Sequence, residues 1–173
     1  LDEVKDLFIL GVASAFRFSD YRELKPSHIK QNHIVKFVNK TKKEIKVPLN
    51  AYSQSVISKY NGVPPKAPAK FNKLLKEVAK RAGLTEMVEV ISMPGGHVKK
   101  EQKEFWKLVS SHLARRSWAS QTVAAGVSIP VSMKITGHST PKEFMKYVKN
   151  TDAAIDNAVT EAWNTLPKNE DKE

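Results

Sequence analysis

His112 and Arg115 stand three residues apart near the start of the stretch "SSHLARRSWASQTVAAG". On a helix that spacing puts both side chains on one face. The start of a helix adds unpaired N–H groups and a partial positive charge. The three together suit an anion, and a phosphate above all. Further on, Gly137 can take a positive φ and end a second helix, which sets His138 in the turn. Tyr147 follows nine residues after His138. Its phenol could be a nucleophile; taken alone, with Phe144 and Val148 as neighbours, it reads as a half-buried core aromatic. Arg17 lies between apolar residues in "SAFRFSD" and needs a partner there. Asp20 could supply one and aim the guanidinium. Taken singly, each has an ordinary reading: a surface His–Arg pair, a satisfied turn histidine, a core tyrosine, a structural ion pair.

Positioning these groups falls to a mainly α architecture with a small antiparallel sheet. Residues 2–15 carry Val4, Leu7, Phe8, Val12 and Phe16 near a 3.6 period, predicting a helix that delivers Arg17 at its end. Ser19 is the expected N-cap of a short helix "DYREL" closed by Pro26. "HIVKFVN" and "EIKVPL" read as a β-hairpin with the lysine-rich tip "KTKK". Helices are expected over 51–61 and over "FNKLLKEVAKRAG", the latter ended by Gly83, with a proline-rich loop between them. "MVEVIS" reads as a short strand before a "PGG" turn. Ser110 or Ser111 caps the helix of His112 and Arg115, which Gly126 ends. Ser128, Pro130 and Gly137 bound the next helix, and Thr140 and Pro141 open the one that carries Tyr147. A last helix, "AAIDNAVTEAW", bears an apolar stripe of Ala154, Ile155, Ala158, Val159 and Trp163. The tail, 166–173, is polar.

Hydrophobic residues make up 40% of the 173, enough for a packed core. No apolar run approaches the ~18–20 residues of a membrane span. The absence of cysteine rules out a disulfide framework, a thiolate zinc site and a cysteine nucleophile, and fits a cytoplasmic protein. Lysine and arginine number 29 against 18 acidic residues, a net charge of +11 that favours a polyanionic partner, nucleic acid first.

The order of the parts is more specific than any one of them. An arginine follows the first helix, a lysine tips a hairpin, then come HxxR, Gly-His and a tyrosine. In "FRFSD", "ELKPSHI", "NKTKKEIKVPL", "SSHLARRSWASQTVAAGVSI" and "KITGHSTPKEFMKYVK" the chain resembles the catalytic domain of the tyrosine recombinases, the phage-integrase family, and the integrases of mobile elements most of all. The resemblance spans roughly residues 1–165. It departs before the first arginine, where the family usually has Gly-Leu and this chain has Ala15-Phe16.

The resemblance implies a fold, a reaction and roles. The fold is the α+β catalytic domain, with the family's N-terminal core-binding domain absent from this stretch of chain. Tyr147 would attack a DNA phosphodiester, forming a 3′-phosphotyrosyl bond and freeing a 5′-hydroxyl, with no cofactor and no metal. Arg17 and Arg115 would clamp the non-bridging oxygens. Lys40, or failing it Lys42, would protonate the leaving oxygen. His112 would serve as base or hydrogen-bond partner for Tyr147, His138 would hold the phosphate, and Asp20 would orient the site. Arg116 points about 100° round the helix and is left out. The implied partner is double-stranded DNA, bound as a homotetramer by the full-length protein, with no membrane; this stretch alone could be monomeric. The last helix would pack on a neighbouring subunit. The tyrosine of this family can also stand withdrawn until DNA arrives. Relaxation in the manner of a type IB topoisomerase, or DNA binding without catalysis, are the alternatives.

Overall fold

The computed structural model describes residues 1–65, 67–149, Asp156 and Thr160. The last expected helix and the polar tail lie outside the described residues.

The first helix, α1 (Asp2–Ser14), buries Val4, Leu7 and Leu10. The short α2 (Phe18–Tyr21) packs against it at Gly11, where a Cβ would come within 2.7 Å of the Tyr21 ring. Only the lack of a side chain lets Tyr21 sit there. Arg17, not Ser19, is the N-cap of α2; Ser19 falls inside the helix. The reason is backbone and aromatic packing. The Arg17 carbonyl accepts from the N–H groups of Asp20 and Tyr21 at 2.8 and 2.9 Å. Phe18 stacks on Phe71 with centroids 4.9 Å apart, which fixes where the turn begins. Pro26 opens a 3₁₀ turn over Pro26–His28.

A three-stranded antiparallel sheet follows in the order β1 (Ile29–Lys30), β2 (His33–Val38), β3 (Lys43–Pro48). Ile34 pairs with Val47 and Lys36 with Ile45, so Ile34, Val38, Ile45 and Val47 face the core. The tip, residues 39–42, is a turn in which Lys42 takes φ 53°. Next come α3 (Ala51–Tyr60) and α4 (Phe71–Arg81), which bracket the proline-rich loop. A separate hairpin joins β4 (Met87–Ser92) to β5 (Lys99–Glu104). The one-turn α5 (Phe105–Leu108) leads to α6 (Ser111–Ala124), α7 (Ile129–Thr136) and α8 (Pro141–Met145).

Two apolar clusters result. The larger joins α1, the first sheet, α3 and α4, and reaches Ala114 on α6. The smaller joins Ala119 on α6 to Phe144 and Val148, with Ile129 and Met133 of α7 packed on it. Helix α6 thus runs from one cluster to the other, and Arg115 sits at the passage. Among the described residues no helix is long and apolar enough to cross a membrane.

Candidate active site

The start of α6 is fixed from outside the helix. Ser110 is its N-cap without a side-chain cap bond; the N–H of Ser111 instead donates to Asn72 Oδ1 of α4 at 2.8 Å. The Tyr21 hydroxyl donates to the Ser111 carbonyl at 3.4 Å. Tertiary contacts therefore supply what a cap would, and they set the azimuth of His112 and Arg115.

Arg115 is 3% exposed, rare for an arginine. Its guanidinium meets two helix ends. Nη1 donates 2.9 Å to the carbonyl of Ala15, the C-cap of α1. Nη2 donates to the carbonyl of Thr136, the last residue of α7. Helix C-termini carry partial negative charge and orphan carbonyls, so one buried cation stabilises both. Ala15 reaches this position by taking φ 60° and ψ 0°, the left-handed conformation that glycine, the family's usual residue there, adopts without strain. The turn before Arg17 is thus one a glycine would make, formed here by alanine. Gly137 ends α7 in the same way at φ 69°.

His138 comes directly after that glycine and is 9% exposed. Thr136 fixes its tautomer. The Thr136 hydroxyl donates to the Ser132 carbonyl at 2.8 Å. Its one hydrogen being spent, it accepts from His138 Nδ1 at 2.8 Å. Nδ1 therefore carries the proton and Nε2 the lone pair, with Arg115 Nη2 3.4 Å from Nε2 and 3.5 Å from Nδ1. Burial first, then the charges of Arg115 and Arg17, pull His138 down to about 4. Burial leads the lowering at His112 too, with Arg116, Arg115 and Arg17 adding to it. His112 is exposed as a whole residue, with its ring edge-on to that of Tyr147. Burial pulls Arg115 to about 10 with help from Arg17, and Tyr147 and Asp20 oppose it.

Tyr147 is not withdrawn. Its ring lies 4.8 Å, centroid to centroid, from His138 and 5.1 Å from His112, and the Arg115 guanidinium carbon is 5.5 Å from its centroid. Phe144, fully buried, and Val148 hold the segment down. Ser120 pins it from α6, its hydroxyl donating to the Tyr147 carbonyl at 3.4 Å and accepting from the Lys149 N–H at 2.8 Å. Among the described residues nothing engages the Tyr147 hydroxyl.

The remaining candidates border this cluster. Arg17 is half-buried and acts on Arg115, His112 and His138 through its charge. The expected Arg17–Asp20 ion pair is not made: no salt bridge joins the two among the described residues. Asp20 is 8% exposed, and burial raises its pKa against the opposing pull of Arg17, Lys36 and Arg115. Lys40 is exposed at the hairpin tip and lines a cleft of about 340 Å³ with Ser19, Asp20, Arg22 and Lys36. Lys42 is exposed as well and lines none of the clefts described here. Among the described residues no group of three or more His, Asp or Glu could hold a metal ion.

Thr136, which holds the site, went unmarked in the sequence, and Ala15 stood out only as a departure from the family's glycine, not as a holder of Arg115. Both act through the end of a helix. Thr136 was in principle findable, since it precedes the Gly-His pair; at Ala15 the signal was the family's glycine, which points to a left-handed turn that alanine alone does not announce.

The sequence matches the phage integrase family over residues 3–154. Among curated proteins no sequence match was found. The fold is that of several solved structures. With the XerA recombinase it shares 16% identity and a TM-score of 0.66, over 96% of this chain and 64% of that one. With the Tn1549 transposon integrase in complex with circular intermediate DNA the values are 16%, 0.56, 93% and 57%. With the catalytic domain of bacteriophage HP1 integrase they are 17%, 0.54, 99% and 96%. The chain thus spans under two thirds of the first two and nearly all of the third.

Proposed function

The chain belongs to the phage integrase family, and from that membership we propose that it cleaves and rejoins DNA strands through a 3′-phosphotyrosyl intermediate, as a site-specific recombinase or integrase. One observation carries the reading. Tyr147 is packed against His112, His138 and Arg115, so a nucleophile, a proton acceptor and two groups that can hold a phosphate share one small volume.

The steps follow from that arrangement. A phosphodiester entering beside Arg115 and Arg17 meets two guanidinium groups whose planar forks suit its non-bridging oxygens. Their charge counts most as negative charge grows in the transition state. The phenol must lose its proton as it attacks, since its free pKa is near ~10. His112, neutral near pH 7 because burial lowers its pKa, is the acceptor. Lys40 gives a proton to the leaving 5′-oxygen, and the departing hydroxyl, or one from a partner strand, later reverses the step. The net charge of +11 supports a DNA partner; the Tn1549 integrase was solved bound to DNA. Assembly as a homotetramer on double-stranded DNA belongs to the same proposal.

The test is a nicked suicide duplex taken from the DNA that flanks the gene encoding this chain. The expected product is a protein–DNA adduct that survives SDS and disappears in Tyr147→Phe. An adduct that persists in that variant would overturn the assignment of the nucleophile. Exchange of partner strands in the products separates recombination from simple relaxation.

A further inference from the structure

Thr41 follows Lys40 in the hairpin tip and has no role in the steps above. Its surroundings are unusual. Its hydroxyl oxygen is sealed from solvent and has no hydrogen-bond partner among the described residues. Its side chain faces the bare side of Gly137: a Cβ built there would meet Thr41 Cγ2 and Oγ1 at 3.5 Å and Ile45 Cδ1 at 3.4 Å. Gly137 is the turn between the Thr136 carbonyl, which holds Arg115, and His138. The hairpin therefore comes beside the anion-binding turn at Thr41 and Ile45, near enough that a Cβ on Gly137 would touch both. Beside that contact the two elements part around a cleft of about 640 Å³, lined by Lys43, Lys46, Pro130 and Lys134.

We infer that Thr41 is a positioning residue, resting on Gly137 and thereby fixing the neighbouring Lys40 relative to the Arg115–His138 turn. The inference rests on the recombinase reading. In cleavage the Tyr147 oxygen forms its bond to phosphorus as the bond to the 5′-oxygen breaks. The tyrosine proton passes to the base, and an ammonium proton from Lys40 passes to the leaving oxygen. That last transfer needs the ammonium within about 3 Å of the oxygen. A lysine side chain carries ~2 kcal/mol of rotamer entropy, so an exposed lysine on an unanchored tip would seldom be there. A misplacement of ~1 Å can cost up to ~10²-fold in rate. Shape, not the hydroxyl, makes the contact, because the hydroxyl has no partner to lose and an apolar group of the same shape should serve equally.

The test compares two versions of the nicked duplex, one with the ordinary bridging 5′-oxygen and one with sulfur in its place. A thiol has a pKa near ~8.5 and leaves without an acid, so a defect that acts through Lys40 vanishes on the sulfur substrate. Thr41→Ala is expected to slow adduct formation about tenfold or more on the oxygen substrate and less than about twofold on the sulfur one. Thr41→Val, which keeps the shape, should match the unsubstituted protein on both. Added to Lys40→Ala, Thr41→Ala should cost nothing further. Equal slowing on both substrates would mean general damage to the site and would overturn the inference, as would an unchanged rate on the oxygen substrate. If the unsubstituted protein forms no adduct with either, the recombinase reading falls and this inference falls with it.

Discussion

The Tyr147 ring rests against Arg115, its centroid 5.5 Å from the guanidinium carbon. The contact is made by the face of the ring, and the hydroxyl takes no part in the packing. Tyr147→Phe should therefore unfold within about 0.5 kcal/mol of the unsubstituted protein in urea, as expected for a change that breaks no packing or buried bond, while losing the covalent adduct entirely. Tyr147→Ala should lose both, since it also empties a place beside Phe144 and Val148.

Arg115 offers a harsher test, because it stabilises the fold as well as the proposed transition state. Lysine keeps the charge but cannot reach two carbonyls with a planar fork. Arg115→Lys should leave the carbonyl of Ala15 or Thr136 buried without a donor, at about 1–3 kcal/mol, and slow adduct formation by about 10²–10³. Denaturant midpoints and single-turnover rates measured on the same preparation separate the two losses. A variant that is fully stable yet inactive would contradict the double role.

What was legible in the sequence follows from these contacts. Periodicity marked α1 and α4, and caps or glycine stops marked α3, α6, α7 and α8, because apolar spacing and Ser110, Gly126, Gly137, Thr140 and Pro141 are local signals. The strand β5 was not legible: "KKEQKE" has no apolar alternation and is a strand by pairing with β4, Val90 opposite Glu101 and Ile91 opposite Lys100. The candidate residues His112, Arg115, His138 and Tyr147 were recognisable by type and order, and the structure brings those four together. The expected Arg17–Asp20 pair was not made, and the backbone carbonyls that hold Arg115 were invisible, since any residue can present a carbonyl.

His138 should make stability depend on acidity. Its pKa is near 6.5 unfolded and about 4 folded, so the unfolded chain binds more protons between those values. The stabilisation is complete above about pH 6.5 and is lost as pH falls toward 4. Urea midpoints across that range should drop less steeply in His138→Gln. A second consequence concerns DNA. With Nδ1–H committed to Thr136, His138 can donate to a phosphate only by gaining a proton at Nε2. Binding should therefore take up a proton near pH 6, seen as a buffer-dependent heat in calorimetry, and the variant should not. Equal uptake by both proteins would place the proton elsewhere.

Ala15 tests whether backbone or side chain matters at the end of α1. Its φ of 60° costs an alanine ~1–2 kcal/mol, but its methyl is fully buried. Ala15→Gly relieves the first and forfeits about 0.8 kcal/mol of burial, so stability should stay within about 1 kcal/mol and cleavage should persist. Ala15→Val, β-branched in the left-handed region, should cost about 2–3 kcal/mol and swing the carbonyl away from Arg115. Similar behaviour of the two variants would show that the turn does not hold the guanidinium.

Phe144 separates holding the nucleophile from holding the phosphate. It is fully buried in the smaller cluster, meets His138 edge-on at 5.6 Å, and its carbonyl accepts from the Tyr147 N–H at 2.9 Å. It touches neither Arg17 nor Arg115 among the contacts described. Phe144→Ala should cost about 3–5 kcal/mol where the site cannot collapse. Phe144→Leu keeps most of the volume and should cost less than about 1.5 kcal/mol. At temperatures where both are folded, DNA affinity should stay near that of the unsubstituted protein, because the clamp is intact. The cleavage rate should fall more in the alanine variant, because the segment that carries Tyr147 has lost its anchor. A matching loss of affinity would instead mean that Phe144 supports the clamp through His138.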